Sequence, residues 1–158
     1  MLTAFMIGAF GISYYALGIL FSLFFNNAWP TFSKRARTSV PFIMSLASIA
    51  YILGMTIPDL ELANRVQHAL GGFVAYVSCH LAVRDLGINV GVYRFTFIAL
   101  LMVASLGIAN EIMEFGLQST SLYVFSNDPY DTWLDLISNS VGEVIAASIV
   151  FFLVRKPS

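Results

Sequence analysis

One histidine and a handful of carboxylates carry the chemistry available to this 158-residue chain, which has nine acidic residues, eight basic residues and two histidines. His68, Glu111, Glu114 and Asp135 are the residue types that ligate a hard divalent cation, and the same groups serve as general acid and base. Asn139, with both a donor and an acceptor, can orient a bound group or link two helices. The candidate catalytic set is therefore His68, Glu111, Glu114, Asp135 and Asn139, with His68, Glu111, Glu114 and Asp135 as candidate metal ligands. Other chemistries lack their residues. There is no serine-nucleophile motif, no H-E-x-x-H and no phosphate-cradling glycine loop. The lone cysteine excludes a disulfide framework or a cysteine-built metal knuckle, and a net charge of -1 leaves no basic surplus for nucleic acid.

Helical spacing decides which of these groups can meet. Leu100, Ala104, Gly107, Glu111, Glu114 and Gln118 form one stripe, small in its middle and acidic at its end. Asp131, Asp135, Ser138 and Gly142 share a second face, with Asn139 and Glu143 on its shoulder. His68, Gly72, Ala75 and Cys79 form a third. Three faces thus converge on one polar pocket. Ala4, Gly8, Gly11 and Gly18 form a close-packing face instead. Asp131 or Thr132 can cap the helix that follows, while Cys79 and His80 read as packing residues. Glu143 lies 12 residues from Asp131 and 12 from Arg155, or about 18 Å from either at about 1.5 Å per residue. A carboxylate at the middle of a bilayer costs at least about 2.5 kcal/mol unless it is protonated, paired or hydrated. Glu143 should therefore face inward, with Ser13, Tyr14, Tyr15 and Ser48 as candidate partners at similar depth.

The elements that position these residues follow from composition. The chain is 58% hydrophobic and 11% charged, against roughly 45–50% and about 25% for soluble domains, and its mean hydropathy is +0.81. It reads as an all-α, polytopic membrane bundle forming a single domain, 1–158. Five stretches approach the length of about 20 apolar residues that a crossing needs: 2–25, 40–57, 66–83, 95–113 and 133–154. Pro30, Pro58, Pro129 and Pro157 fall between or just outside them, and Pro41 at the very start of the second. No basic residue precedes the first span, as a cleaved signal would require, so that span is read as retained. There is no internal repeat, and an odd number of spans argues against inverted halves. Lys34, Arg35, Arg37, Arg84, Arg94, Arg155 and Lys156 fall on one side and Arg65 alone on the other. That asymmetry places the N-terminus outside and the C-terminus in the cytoplasm. Tyr123, Tyr130 and Trp133 then form an outer aromatic belt, Trp29 sits at the inner interface, and Asp85 is the lone cytoplasmic acid.

Three motifs resemble a known family. Asn64-Arg65-Val66-Gln67-His68, followed by Gly72-Phe73, resembles the basic-x-x-His helix start of VanZ-like proteins. Asn110-Glu111-Ile112-Met113-Glu114 is similar to their E-x-x-E or E-x-x-Q helix end. The run from Asp131 through Asp135 and Asn139 to Gly142 resembles their D-x-x-x-D-x-x-x-N-x-x-G signature. The order and spacing also suit the related YjdF-type inner-membrane proteins. The resemblance spans about Asn64 to Ala147; Asn64 replaces a usual aspartate, and Glu143 a usual small apolar residue. It implies a multi-pass protein of the bacterial inner membrane and cell envelope. Asp131, Gly142 and Glu143 then join the site residues. Two functions are expected. In the first, an outward-opening His/carboxylate pocket, with or without a divalent cation, binds or modifies a lipid or envelope-precursor headgroup. In the alternative, the chain is a non-catalytic helical subunit or ligand-binding protein of a larger membrane complex. Proton or ion movement along Asp135, Asn139 and Glu143 ranks third, because no acidic continuation leads to the cytoplasm.

Overall fold

The structure, a computed structural model, describes residues 2–24, 28–120 and 129–154. Among them the regular elements are five helices: α1 (Leu2–Phe24), α2 (Ala28–Met55), α3 (Leu60–Asp85), α4 (Val92–Ser119) and α5 (Pro129–Val154). No strand occurs among the described residues. Trp29–Met55, Leu60–Asp85, Val92–Gly116 and Tyr130–Val154 are long and apolar enough to cross a membrane. The first expected span coincides with α1, within which Gly11–Leu20 is a shorter apolar stretch. Tyr123, Asp128, Arg155, Lys156 and Pro157 lie outside the described residues.

The helices run further than the apolar stretches. α2 has 28 residues, about 42 Å at 1.5 Å per residue, against a hydrocarbon core of about 30 Å. Its excess is the basic third holding Lys34, Arg35 and Arg37. Two prolines expected at span boundaries therefore lie inside this helix. Pro30 stands in the first turn, where the missing N–H has no intrahelical partner to lose. Pro41 is interior; it removes one backbone bond at the point where the basic segment gives way to the apolar one, an interruption that membrane helices tolerate.

α3 has defined ends. Asp59 caps it, its side chain accepting from the Leu62 N–H at 2.8 Å. At the other end the Gly87 N–H bonds to the Arg84 carbonyl and the Ile88 N–H to the Val83 carbonyl, a Schellman arrangement. Gly87 has φ 71°, a left-handed conformation that glycine adopts without steric cost.

Packing makes α3 the hub, since it contacts each of the other four helices. On one side Tyr14 of α1 and Phe32, Ala36, Ile43 and Ala47 of α2 pack against Val74, Leu81 and Ala82. On the other, Tyr76 and Cys79 meet Phe95, Ala99 and Val103 of α4 and Ala146 and Ala147 of α5. α3, α4 and α5 are mutual neighbours, whereas among the described residues α5 does not touch α1 or α2. Side chains such as Ile52, Phe97, Ile112, Val144 and Phe152 point outward and exposed, as lipid-facing positions would.

Glycines mark the closest approaches. A Cβ on Gly142 would overlap the Ala69 backbone, and one on Gly72 would overlap the Asn139 carbonyl. α3 and α5 therefore cross nearly backbone to backbone, in the manner of small-residue membrane interfaces. In the glycine face expected on α1, Gly18 abuts Phe32 and Gly11 abuts Met44, but Gly8 meets nothing within 4 Å.

Candidate functional site

The α3–α5 crossing places polar side chains in register just beyond it. Arg65 opposes Asp131 and Asp135, His68 opposes Asp135, and Gly72 opposes Asn139. Residue numbers rise together on both helices, so the two run parallel. The Arg65 guanidinium donates through Nη2 to Asp131 Oδ1 and through Nη1 to Asp135 Oδ1. Nη1 also reaches the Asp131 carbonyl at 3.3 Å, and Glu61 lies 3.9 Å away on the next turn. Asn64 Nδ2 donates to Asp135 Oδ1 at 3.0 Å. The planar guanidinium fork suits this double carboxylate contact.

These contacts occupy one oxygen of Asp135 and leave Oδ2 facing His68, whose Nε2 is 3.4 Å away. The Asp135 side chain is 4% exposed and that of His68 14%. Glu111 of α4 completes the group: one ligand atom from each of His68, Glu111 and Asp135 lies within 4.8 Å of the others. Glu111 Oε1 is buried and has no hydrogen-bond partner among the described residues. Two carboxylates and one imidazole on three helices can thus converge on a single point. Their chemistry would be cation ligation or proton transfer.

The remaining expected residues divide. Glu114 stands beside Glu111 but accepts from Asn110 Nδ2 at 2.6 Å, and it lies outside the three-residue group. Asn139 sits one turn deeper, its amide nitrogen beside Gly107 and its oxygen beside Gly71; it fills the junction of three helices rather than the cluster. Asp131 lies in the first turn of α5 but spends its carboxylate on Arg65, not on capping. Gly142 sets the helix separation. In α4, Gly107 and Glu111 face α5, whereas Ala104 is exposed; the Gln118 side chain lies outside the described residues.

Glu143 corrects an expectation. It points into the bundle, 3% exposed, with Oε1 unpartnered. Its neighbours, however, are Tyr76 and Cys79 of α3, not Ser13, Tyr14, Tyr15 or Ser48. Those four residues belong to α1 and α2, which α5 never reaches. Depth along a helix is legible in sequence, but the neighbour across the interface is not.

Two further groups escaped the sequence. Arg65 was read as the lone outer cation and as the basic residue of the VanZ-like helix start, not as a partner of Asp131 and Asp135; it precedes His68 by three residues and so shares its face, and that spacing was the available signal. Asp85 was read as the lone cytoplasmic acid but is fully buried. It accepts from the Tyr14 hydroxyl at 2.8 Å and from Arg84 Nε and Nη2 at 3.1 and 3.0 Å. Arg84 Nη2 also donates to Ser39 Oγ at 3.0 Å, and Arg35 Nη1 donates to the Arg84 carbonyl at 2.6 Å. This second polar knot ties α1, α2 and α3 at the end opposite His68.

Two open cavities lie elsewhere: a groove of about 450 Å³ between α1 and α2, and one of about 500 Å³ along α5 from Trp133 to Ile145. No curated protein and no solved structure matches the chain. A family model described as a predicted membrane protein, DUF2238, matches residues 3–156, a range that includes both polar knots and all five helices but for the first residue of α1. Matched over that length, the chain belongs to the DUF2238 family of predicted membrane proteins.

Proposed function

We propose that this protein is a five-span, single-domain protein of the bacterial inner membrane, N-terminus outside, whose outward-facing His68–Glu111–Asp135 cluster binds a divalent cation. The bound cation would act on the headgroup of an envelope lipid or lipid-linked precursor. The observation that carries this reading is the convergence of three donor atoms within 4.8 Å. A first-row cation sits about 2.0–2.2 Å from nitrogen and oxygen ligands, so its ligands lie roughly 3–4.4 Å apart. A small closure of the helices would suffice. Arg65 and Asn64 hold Asp135 from behind, the role of a supporting shell around a ligating carboxylate.

Charge favours a cation over a bare phosphate. Asp131 and Asp135 already hold the Arg65 guanidinium, and Glu111 stands beside Asp135 and Glu114, so carboxylates outnumber the one cation and an incoming anion needs a metal to offset them. Three protein ligands leave coordination positions open, through which an ion could polarise a phosphoryl oxygen or activate water. The VanZ-like and YjdF-type motifs support the envelope setting, and the basic-residue asymmetry supports the orientation. A second reading, a non-catalytic subunit of a larger assembly, draws support from the exposed groove on α5, whose apolar lining around Ser140 would suit a partner helix.

Metal titration decides between them. Protein purified in detergent and stripped with EDTA should bind one Mn²⁺ or Zn²⁺ per chain by calorimetry. His68→Ala and Glu111→Gln should abolish that binding, and Glu114→Gln should retain it. A wild-type protein that binds no ion, or binds it equally well as His68→Ala, overturns the cation site.

A further inference from the structure

The rungs of the parallel α3–α5 pair continue below the cluster. His68 and Asp135 form the first and Gly72 and Asn139 the second. Four residues on, Tyr76 and Glu143 form the third, about 12 Å from the first at 1.5 Å per residue. Tyr76 is 0% exposed and Glu143 3%. Each carries a buried oxygen with no hydrogen-bond partner among the described residues, the Tyr76 hydroxyl and Glu143 Oε1. Thr96 of α4 lies close to the Tyr76 hydroxyl without completing a bond. Two unsatisfied buried oxygens at one level of two facing helices are uncommon, because each costs about 1–3 kcal/mol when left dry. Buried water relieves such pairs when a site offers it two to four polar partners.

The surroundings define what the site can hold. Cys79 is the other titratable group of α3 beside Glu143, and α4 contributes apolar Phe95, Ala99 and Val103 to the enclosing cluster. Among the described residues Glu143 forms no ion pair. Below it the cluster closes with Ala146 and Ala147. Above it the junction of α3, α4 and α5 offers the Asn139 amide and then Asp135. The polar opening is therefore one-sided.

We propose that Tyr76 and Glu143 form a proton-binding site, hydrated by internal water, that exchanges with the outer, His68–Asp135 end through the α3–α4–α5 junction past the Asn139 amide. On release, the O–H bond of the Glu143 carboxyl breaks and its electron pair stays on the carboxylate, which the Tyr76 hydroxyl then donates to. The proton leaves on water toward Asp135 and His68, and uptake reverses the path. Buried carboxyl chains of this kind serve as proton relays in membrane proteins. The site stands whether or not a cation occupies the outer cluster.

Infrared difference spectroscopy on the full-length protein in lipid vesicles, transferred from H₂O to D₂O, tests this. The wild type should show a protonated-carboxyl C=O band that shifts in D₂O and is lost in Glu143→Gln. Tyr76→Phe should move the band by deleting its hydrogen-bond partner, and this variant carries the test if Glu143→Gln fails to fold. Asn139→Leu should slow the D₂O shift about tenfold, a modest rise in barrier. A band that is absent, survives Glu143→Gln, ignores Tyr76→Phe or never exchanges overturns the proposal.

Discussion

Replacing Asp135 by alanine should cost the fold about 3 kcal/mol, the lower end of the roughly 3–5 kcal/mol lost when one partner of a buried ion pair is removed. The lower end applies because Arg65 would keep Asp131. Asp135 is 4% exposed and accepts from both Arg65 and Asn64, so its loss strands two donors. Asp131 is 27% exposed, so water can replace it, and Asp131→Ala should cost only about 1 kcal/mol. Replacing Arg65 and Asp135 together, by methionine and leucine, removes both buried charges at once. The double variant should then be about 2 kcal/mol more stable than the sum of its single changes predicts, within the range of coupling between contacting residues. Unfolding by SDS titration in mixed micelles, followed by circular dichroism, measures each value. Additivity of Arg65→Met and Asp135→Leu to within about 0.5 kcal/mol would refute the reasoning, because Arg65 would then be a solvated surface charge.

Two other expectations concern packing and topology. Gly142→Ala and Gly72→Ala each place a methyl against the partner's backbone, which cannot rotate away, and should destabilise by about 1–3 kcal/mol. Gly116→Ala meets nothing within 4 Å and should be neutral or stabilising by up to about 1 kcal/mol; the same SDS titration ranks the three. In a Cys79→Ala background, single cysteines at Lys34 and Arg94 should resist an impermeant thiol reagent added outside intact cells, whereas one at Glu61 should react. The opposite labelling pattern would reverse the proposed orientation.

Where the sequence misled, the cause was consistent. Asp85 carries the same loop-edge signature as Asp59, yet one is fully buried and the other caps a helix end. The difference lies in Tyr14 and Arg84, and Tyr14 is 71 residues from Asp85 along the chain. The Glu143 partners failed for the same reason, since depth is a one-dimensional quantity and adjacency between helices is not. Pro41 was read as a boundary because proline breaks soluble helices, whereas the bundle carries a helix straight through it.

The sequence by itself determined the helical class, the apolar lengths, and which side chains share a face, because hydropathy and the 3.6-residue period are local properties. It placed His68, Glu111 and Asp135 on faces that could meet. Only the tertiary structure decided that α3 is the hub, that α5 lies against α3 and α4 alone, and that Arg65 grips Asp131 and Asp135. The physical reason is that lipid satisfies every apolar face equally well. Which helices pair is then settled by where backbones can approach, at Gly72 and Gly142, and by which buried polar groups must find each other across the gap.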